Sequence, residues 1–220
     1  REAFLRLNPC CLTLLMFPLV DPVAKEHADH GQIVLGYHGN RAHIEAMADT
    51  VTPAIEELGR RRPVRLVCIT NAAKHGLPAH GLPDPAVVEV EHVQFEPGES
   101  GAVAPSFAAA LGRADIGLVP NLLPVHEHRR ALELTASDDP WLAYEPFDWL
   151  VRFKASSNPG RLYPFARLGV PVVADFTPSL AQFVDDGVTG CLAATAEGWL
   201  DALDRLAASA ELRAALAHGL

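Results

Sequence analysis

The sequence predicts an α/β chain with an open, doubly wound, Rossmann-like parallel sheet. Three observations carry that expectation. Short apolar runs recur along the chain, of which VRLVCIT at 64–70 is uniformly apolar enough to be buried on both faces of a sheet. Between them lie stretches with apolar residues at helical spacing. Strands alternating with helices over 220 residues fit one parallel sheet covered on both faces.

In chain order, residues 1–20 combine a short amphipathic piece, EAFLRL, with the apolar run LTLLMFPLV; they are expected to be the remnant of, or junction to, an N-terminal domain. Residues 21–31, DPVAKEHADHG, are polar and turn-rich and read as a linker. The main domain is expected over 32–220. IVLGYHG from Ile33 is a strand entering a glycine turn, and residues 42–61 place Ile44, Met47, Val51, Ile55 and Leu58 on one helical face. VRLVCIT is the second strand, and VVEVEHVQF at 87–95 alternates like a strand near an edge. SFAAALGRA (106–114) predicts a helix, followed by strands in ADIGLVPN (114–121), VPVVAD (170–175) and TGCLAA (189–194). PSLAQFVDDG (178–187) predicts a helix, and 196–219 predict two, broken near 208–210. Residues 122–152 interrupt the rhythm and read as a long connection or lid.

Composition excludes several classes. Eighteen basic against 27 acidic residues give a formal charge of −9, which offers no broad basic face to nucleic acid. Cys10, Cys11, Cys68 and Cys191 form no CxxC pair and no zinc-ligand spacing with histidine, so a reducing, cytoplasmic location is expected. The run from Cys11 is too short to span a bilayer, which leaves peripheral membrane contact open. His126, Glu127 and His128 lack a third partner for a metal, and none is expected. The chain begins at Arg1 and ends in a helix-like stretch, which predicts a piece of a longer protein.

Two stretches carry candidate chemistry. After the first strand, Gly36 and Gly39 flank a turn that leads through Asn40 and Arg41 into a helix. Either the backbone N–H groups there approach an anion, or the glycines only relieve a tight turn. His38 in that turn is a candidate catalytic or ligand-contacting base, although a lone loop histidine is more often structural or solvated. The second stretch, FKASSNPGRLYPFARLGVPVVADFTP from Phe153, gathers Lys154, Ser156, Ser157, Asn158, Gly160 and Arg161 in front of a short helical segment. Cap residues followed by Pro159, with two cations close by, are what a diphosphate needs; a plain capped surface helix would use the same residues. Pro164 means that the helix either starts there or kinks there.

ADIGLVPN at 114–121, LGVPVVAD at 168–175 and FVDDGVTGCLA at 183–193 occur in the order and context of a known family. From Ile33 to about Leu216 the chain resembles the C-terminal, donor-binding half of GT-B glycosyltransferases, particularly the large retaining group related to glycogen synthase. The resemblance implies that a nucleotide-sugar donor, as substrate rather than cofactor, lies against this domain, facing the protein's own N-terminal domain. It implies that Gly39, Asn40 and Arg41 approach the sugar phosphates and that Lys154 and the run from Asn158 through Gly160 to Arg161 bind the diphosphate; Ser157 is a further candidate donor beside them, and fixed cations and dipoles there require no metal. Two glutamates usual in that family are replaced here by Ser156 and Pro164, so catalytic residues are not assigned. The acceptor side would belong to the other domain, and this piece alone is expected to be inactive. Alternatives are a GT-B-like nucleotide-sugar epimerase and a non-catalytic interaction domain of the same fold.

Overall fold

A computed structural model describes residues 20–96, 98, 104–122 and 159–220. Its centre is a six-stranded, wholly parallel sheet: β1 (Ile33–His38), β2 (Val64–Thr70), β3 (Glu89–Gln94), β4 (Ile116–Val119), β5 (Val172–Asp175) and β6 (Cys191–Ala193), in the order β3-β2-β1-β4-β5-β6. From β1 the chain builds outward through β2 to the β3 edge, then returns to lay β4, β5 and β6 on the other side. The order therefore reverses between β1 and β4, and in such sheets a ligand crevice opens outside the carboxyl ends of the strands at that point.

Among the described residues the helices are α1 (Arg41–Met47), α2 (Val51–Arg61), α3 (Ala72–His75), α4 (Pro105–Leu111), α5 (Leu162–Arg167), α6 (Ala196–Ala208) and α7 (Ala210–Gly219). The period-2 alternation of strand side chains divides the core. Ile33, Leu35, Tyr37, Leu66, Cys68 and Leu118 meet α2 and α6 on one face, while Val67, Ile69, Val119 and Val172 meet α4 and α5 on the other. Trp199 of α6 lies wholly buried in the first layer. Cys68 and Cys191 are buried free thiols, and burial pushes the Cys68 thiol up to about 12.

Two glycines side by side set the height of α5 above the sheet. Gly36 of β1 and Gly117 of β4 are register partners across the switch point. A Cβ on Gly117 would come within 2.6 Å of the Phe165 ring, and one on Gly36 within 3.4 Å of it and 2.6 Å of the Ala114 Cβ. The ring of Phe165 fills the hollow that the two missing side chains leave. Its close approach fixes where the turn before α5 meets the strand ends.

Several boundaries differ from the sequence expectation. The helix expected over 42–61 is two helices. Pro53 has no N–H and its ring excludes the carbonyl of residue 49, so the chain breaks at 48–50 and restarts at Val51. Residues 178–187 form consecutive turns rather than a helix: Leu180 and Ala181 N–H both bond to Thr177 O, and the Asp185-Asp186-Gly187 run closes on Thr189 and Gly190 before a ladder can propagate. The helix near Pro164 begins at Leu162, placing the proline in its first turn, where its missing N–H has no intrahelical partner to lose. The break between α6 and α7 falls at Ser209, whose hydroxyl caps α7 by accepting from Leu212 N–H.

The stretch read as a linker lies along the amino ends of β4 and β5. Lys25 Nζ donates to Gly112 O (2.6 Å), His27 Nε2 donates to Gly169 O (3.0 Å), and His30 pairs with Asp115 (3.0 Å). Arg213, fully buried, donates to Ala28 O and Leu206 O. This side is opposite the strand ends at which the crevice opens. Among the described residues, no helix is long and apolar enough to cross a membrane.

Candidate functional site

The site grows from the carboxyl end of β1. Tyr37 points into the core, and its hydroxyl donates to Asn40 O (2.7 Å), which closes the turn. Burial raises the Tyr37 pKa far above the ordinary phenol range, so the hydroxyl remains a donor. Gly39 turns the chain at φ +148, with the place of a Cβ 2.9 Å from the Tyr37 hydroxyl and 3.1 Å from Arg161 Cδ. No other residue fits there without displacing one of the two. Asn40 caps α1 by accepting from Ala42 N–H (3.0 Å). The next residue, Arg41, pairs through Nε with the buried carboxylate of Glu45 one turn on (3.2 Å) and donates from Nη1 to His75 O (3.0 Å). Both N–H groups of Nη2 and the second of Nη1 are then left to a ligand.

His38 faces the same opening. Its ring stands edge-on to Phe107 and tilted against Phe165, both at 5.2 Å between centroids. Nε2 is 2.9 Å from the Arg161 carbonyl, which only accepts, so Nε2 carries the proton. Burial first, and the nearby Arg161 guanidinium, lower the His38 pKa to about 4, against the hydrogen bond to Arg161 O, which raises it. His38 is therefore neutral at physiological pH. The folded chain binds this proton less well than the unfolded chain, whose histidine titrates near 6.5, so the contribution of His38 to stability is complete above 6.5 and is lost as pH falls toward 4. The thermal midpoint is expected to fall over that interval, and to fall less in His38→Gln; equal slopes in a pH series of melting curves would contradict this.

A second set of polar groups joins the ends of β4 and β5. Asp175, at the end of β5, accepts from Asn121 N–H (2.6 Å), Leu122 N–H (3.0 Å) and Trp199 Nε1–H (3.2 Å). Burial raises its pKa, opposed by those donors and by Arg161. The Asn121 amide donates to the hydroxyls of Thr177 and Ser179, both at 3.0 Å. Arg161 completes the set: Nη2 donates to Asn121 Oδ1 (2.6 Å) and Nη1 to Pro120 O. His43 Nδ1 donates to Leu122 O (2.9 Å), tying α1 to the same loop.

Between the ends of β1, β2 and β3 lies an open cleft of about 350 Å³. Its walls are Ile69, Phe95 and Phe107 on the apolar side, with His38, Asn40, Arg41, Thr70, Asn71 and His75 contributing polar groups. Asn71 is partly committed, since its Oδ1 accepts from Gln94 Nε2 and Lys74 N–H.

The structure thus brings Gly39, Asn40, Arg41 and His38 to one opening, with Arg161 against His38 and Gly39. The Arg161 guanidinium donates to Pro120 O and Asn121 Oδ1, so this side chain braces the β4 loop. Lys154, Ser156, Ser157 and Asn158 lie outside the described residues, as do His126, Glu127 and His128. Sequence reasoning missed Asn121, Asp175, Thr177 and Ser179, although Asn121 and Asp175 each follow closely on an apolar strand run. It also missed Phe95 and Phe107, which read as ordinary strand and helix residues.

No protein-family model matches the chain, and no curated protein matches it in sequence. Solved structures of similar shape include the C-terminal domain of a glycosyl transferase group 1 family protein, LpcC, from Francisella tularensis, at 12% identity over 90% of each chain with a TM-score of 0.47. Anabaena HepE in complex with UDP matches at 14% identity and a TM-score of 0.46, over 86% of this chain and 43% of that one. A UDP-N-acetylglucosamine 2-epimerase from Listeria monocytogenes matches at 11% identity and a TM-score of 0.46, over 86% and 40%. The chain spans about two fifths of the length of the last two. The doubly wound fold rests on the strand order itself.

Proposed function

We propose that the chain is the nucleotide-sugar-binding half of a glycosyltransferase related to the glycogen-synthase group, acting on a donor held at the carboxyl ends of the strands. The observation that carries this reading is the cleft beside the β1 turn, where the Gly39-Asn40-Arg41 run and an aromatic wall meet next to the switch point. An apolar wall suits a planar base, and a glycine turn with one cation at its edge suits a phosphate. The sequence phrases that resemble GT-B enzymes fall on β4, β5 and the approach to β6, and two of them supply Asn121 and Asp175 to the buried network behind the site.

The chemistry required of such a domain is to stabilise negative charge as the diphosphate leaves the sugar. The free N–H groups of the Arg41 guanidinium are the cationic donors that the described cleft offers, and Lys154, from the sequence, is the second cation. Arg161 acts through the loop it holds. Isothermal titration of UDP-, GDP- and ADP-sugars is expected to show binding of one of them, weakened about tenfold or more in Arg41→Ala and in Lys154→Ala, as for a charge-assisted hydrogen bond. Absence of binding by every nucleotide sugar tested would sink the reading, whereas binding followed by epimer formation with the full-length protein would convert it to an epimerase.

A further inference from the structure

We propose that His38 is a specificity-determining acceptor in the cleft: its Nδ1 receives a hydrogen bond from an O–H or N–H of the bound ligand and turns away anionic oxygen. This rests on the nucleotide-sugar reading and adds an orientation to it. The Arg161 carbonyl takes the Nε2 proton and so fixes the tautomer, leaving Nδ1 with a lone pair and no hydrogen. Among the described residues Nδ1 has no protein partner, and it is not enclosed by the fold, since the histidine lines the cleft. Phe107 and Phe165 hold the ring from two sides, so it does not turn to offer a different atom. The nearby guanidinium of Arg161 and the burial of the ring both oppose a second proton.

An acceptor fixed in this way has a defined partner. A phosphate oxygen at neutral pH brings only lone pairs to Nδ1 and is repelled. A ribose hydroxyl or the imide N–H of a uracil brings a proton and is held. The anionic end of the ligand then belongs at the Arg41 side of the cleft, and the base or ribose at the His38 side, against the aromatic wall.

The test uses nitrogen-15 NMR of the imidazole ring together with titration of UDP and two analogues, N3-methyl-UDP and 2′-deoxy-UDP, each lacking one donor. Without ligand, His38 is expected to show the Nε2–H tautomer and no titration between pH 8 and pH 5. With UDP, the Nδ1 resonance is expected to move toward that of a hydrogen-bonded nitrogen. One analogue is expected to bind about tenfold more weakly than UDP, as for a neutral hydrogen bond lost with its acceptor left unpaired, and that difference is expected to vanish in His38→Phe. A His38 that titrates near 6.5, or an Nδ1 resonance that ignores bound UDP while both analogues bind as UDP does, overturns the proposal and leaves the donor-binding reading standing. Failure of UDP and of every nucleotide sugar to bind overturns that reading, and the proposal with it. If His38→Phe does not fold, the ring spectra and the analogues with the wild-type protein decide alone.

Discussion

Asp175→Ala is expected to lower the unfolding free energy by about 2–4 kcal/mol, because two buried donors and one half-buried donor lose their acceptor and each unsatisfied buried group costs about 1–3 kcal/mol. Those donors are the backbone N–H groups of Asn121 and Leu122 and the indole of Trp199, all described above at hydrogen-bond distance. Part of the loss is recovered, since burial works against the ionised carboxylate and its removal relieves that cost. For a chain of this size the shift corresponds to a midpoint lower by about 5–15 °C in a thermal melt. The same substitution frees the β4 loop, so Arg161 loses the fixed position of Asn121 Oδ1 and the His38 tautomer loses rigid support. Asp175→Asn repairs the network only in part, because one amide oxygen accepts the Asn121 and Leu122 N–H groups that share Oδ2, while the amide NH2 then faces the Trp199 indole N–H. A melt of Asp175→Ala within about 2 °C of wild type would show that the loop is held by something else.

Gly81→Ala is the second substitution with a large expected effect, of about 3 kcal/mol or more, from a left-handed backbone and a backbone collision together. Gly81 sits at φ +91, and a Cβ there would lie 1.9 Å from Ile44 O and 2.9 Å from Glu45 Cα. Both contacts are backbone of α1, so no side-chain rotation relieves them. The chain at Gly81 is also tied to α2, through Thr52 Oγ1 donating to Gly81 O (2.5 Å). To admit the methyl group, α1 must move, and α1 carries Arg41 and the Glu45 carboxylate that orients it. Lost stability is therefore expected to come with altered ligand binding at the β1 turn. Chemical denaturation of Gly81→Ala, followed by nucleotide-sugar titration at a temperature where it remains folded, reads the two effects separately. A variant as stable as wild type would mean that the 79–83 loop yields in place of α1.

Much of the fold was legible because strands buried on both faces need little context. VRLVCIT spans β2 residue for residue, and the alternation in VVEVEHVQF correctly marked β3 as an edge. The break at Ser209 was legible for the same local reason. Less legible were the places where a local pattern is overruled by a few atoms. The spacing over 42–61 satisfies a single helix, yet one proline divides it. The apolar pattern of 178–187 looks helical, yet its bonds go to Thr177 O and to the Asp185–Gly190 turn. At the end of β1, Gly39 was readable as a tight turn, which its φ of +148 bears out. Arg161 was readable only as a charge near a turn, and nothing local distinguishes a guanidinium that meets a ligand from one that braces a loop 40 residues away.

By itself the sequence determined the alternation of strands and helices, the parallel sheet, and the glycine turn after β1, because period and glycine placement are local properties of the chain. The tertiary structure decided which polar residues face the cleft and which serve the frame. Asn121, Asp175 and Arg161 are far apart in sequence and meet only where β4 and β5 end side by side. The proton on His38 was decided there too, by a carbonyl 123 residues further along the chain. Hydrogen bonds between distant segments depend on sheet order, and sheet order is fixed by packing on both faces rather than by any one stretch of residues.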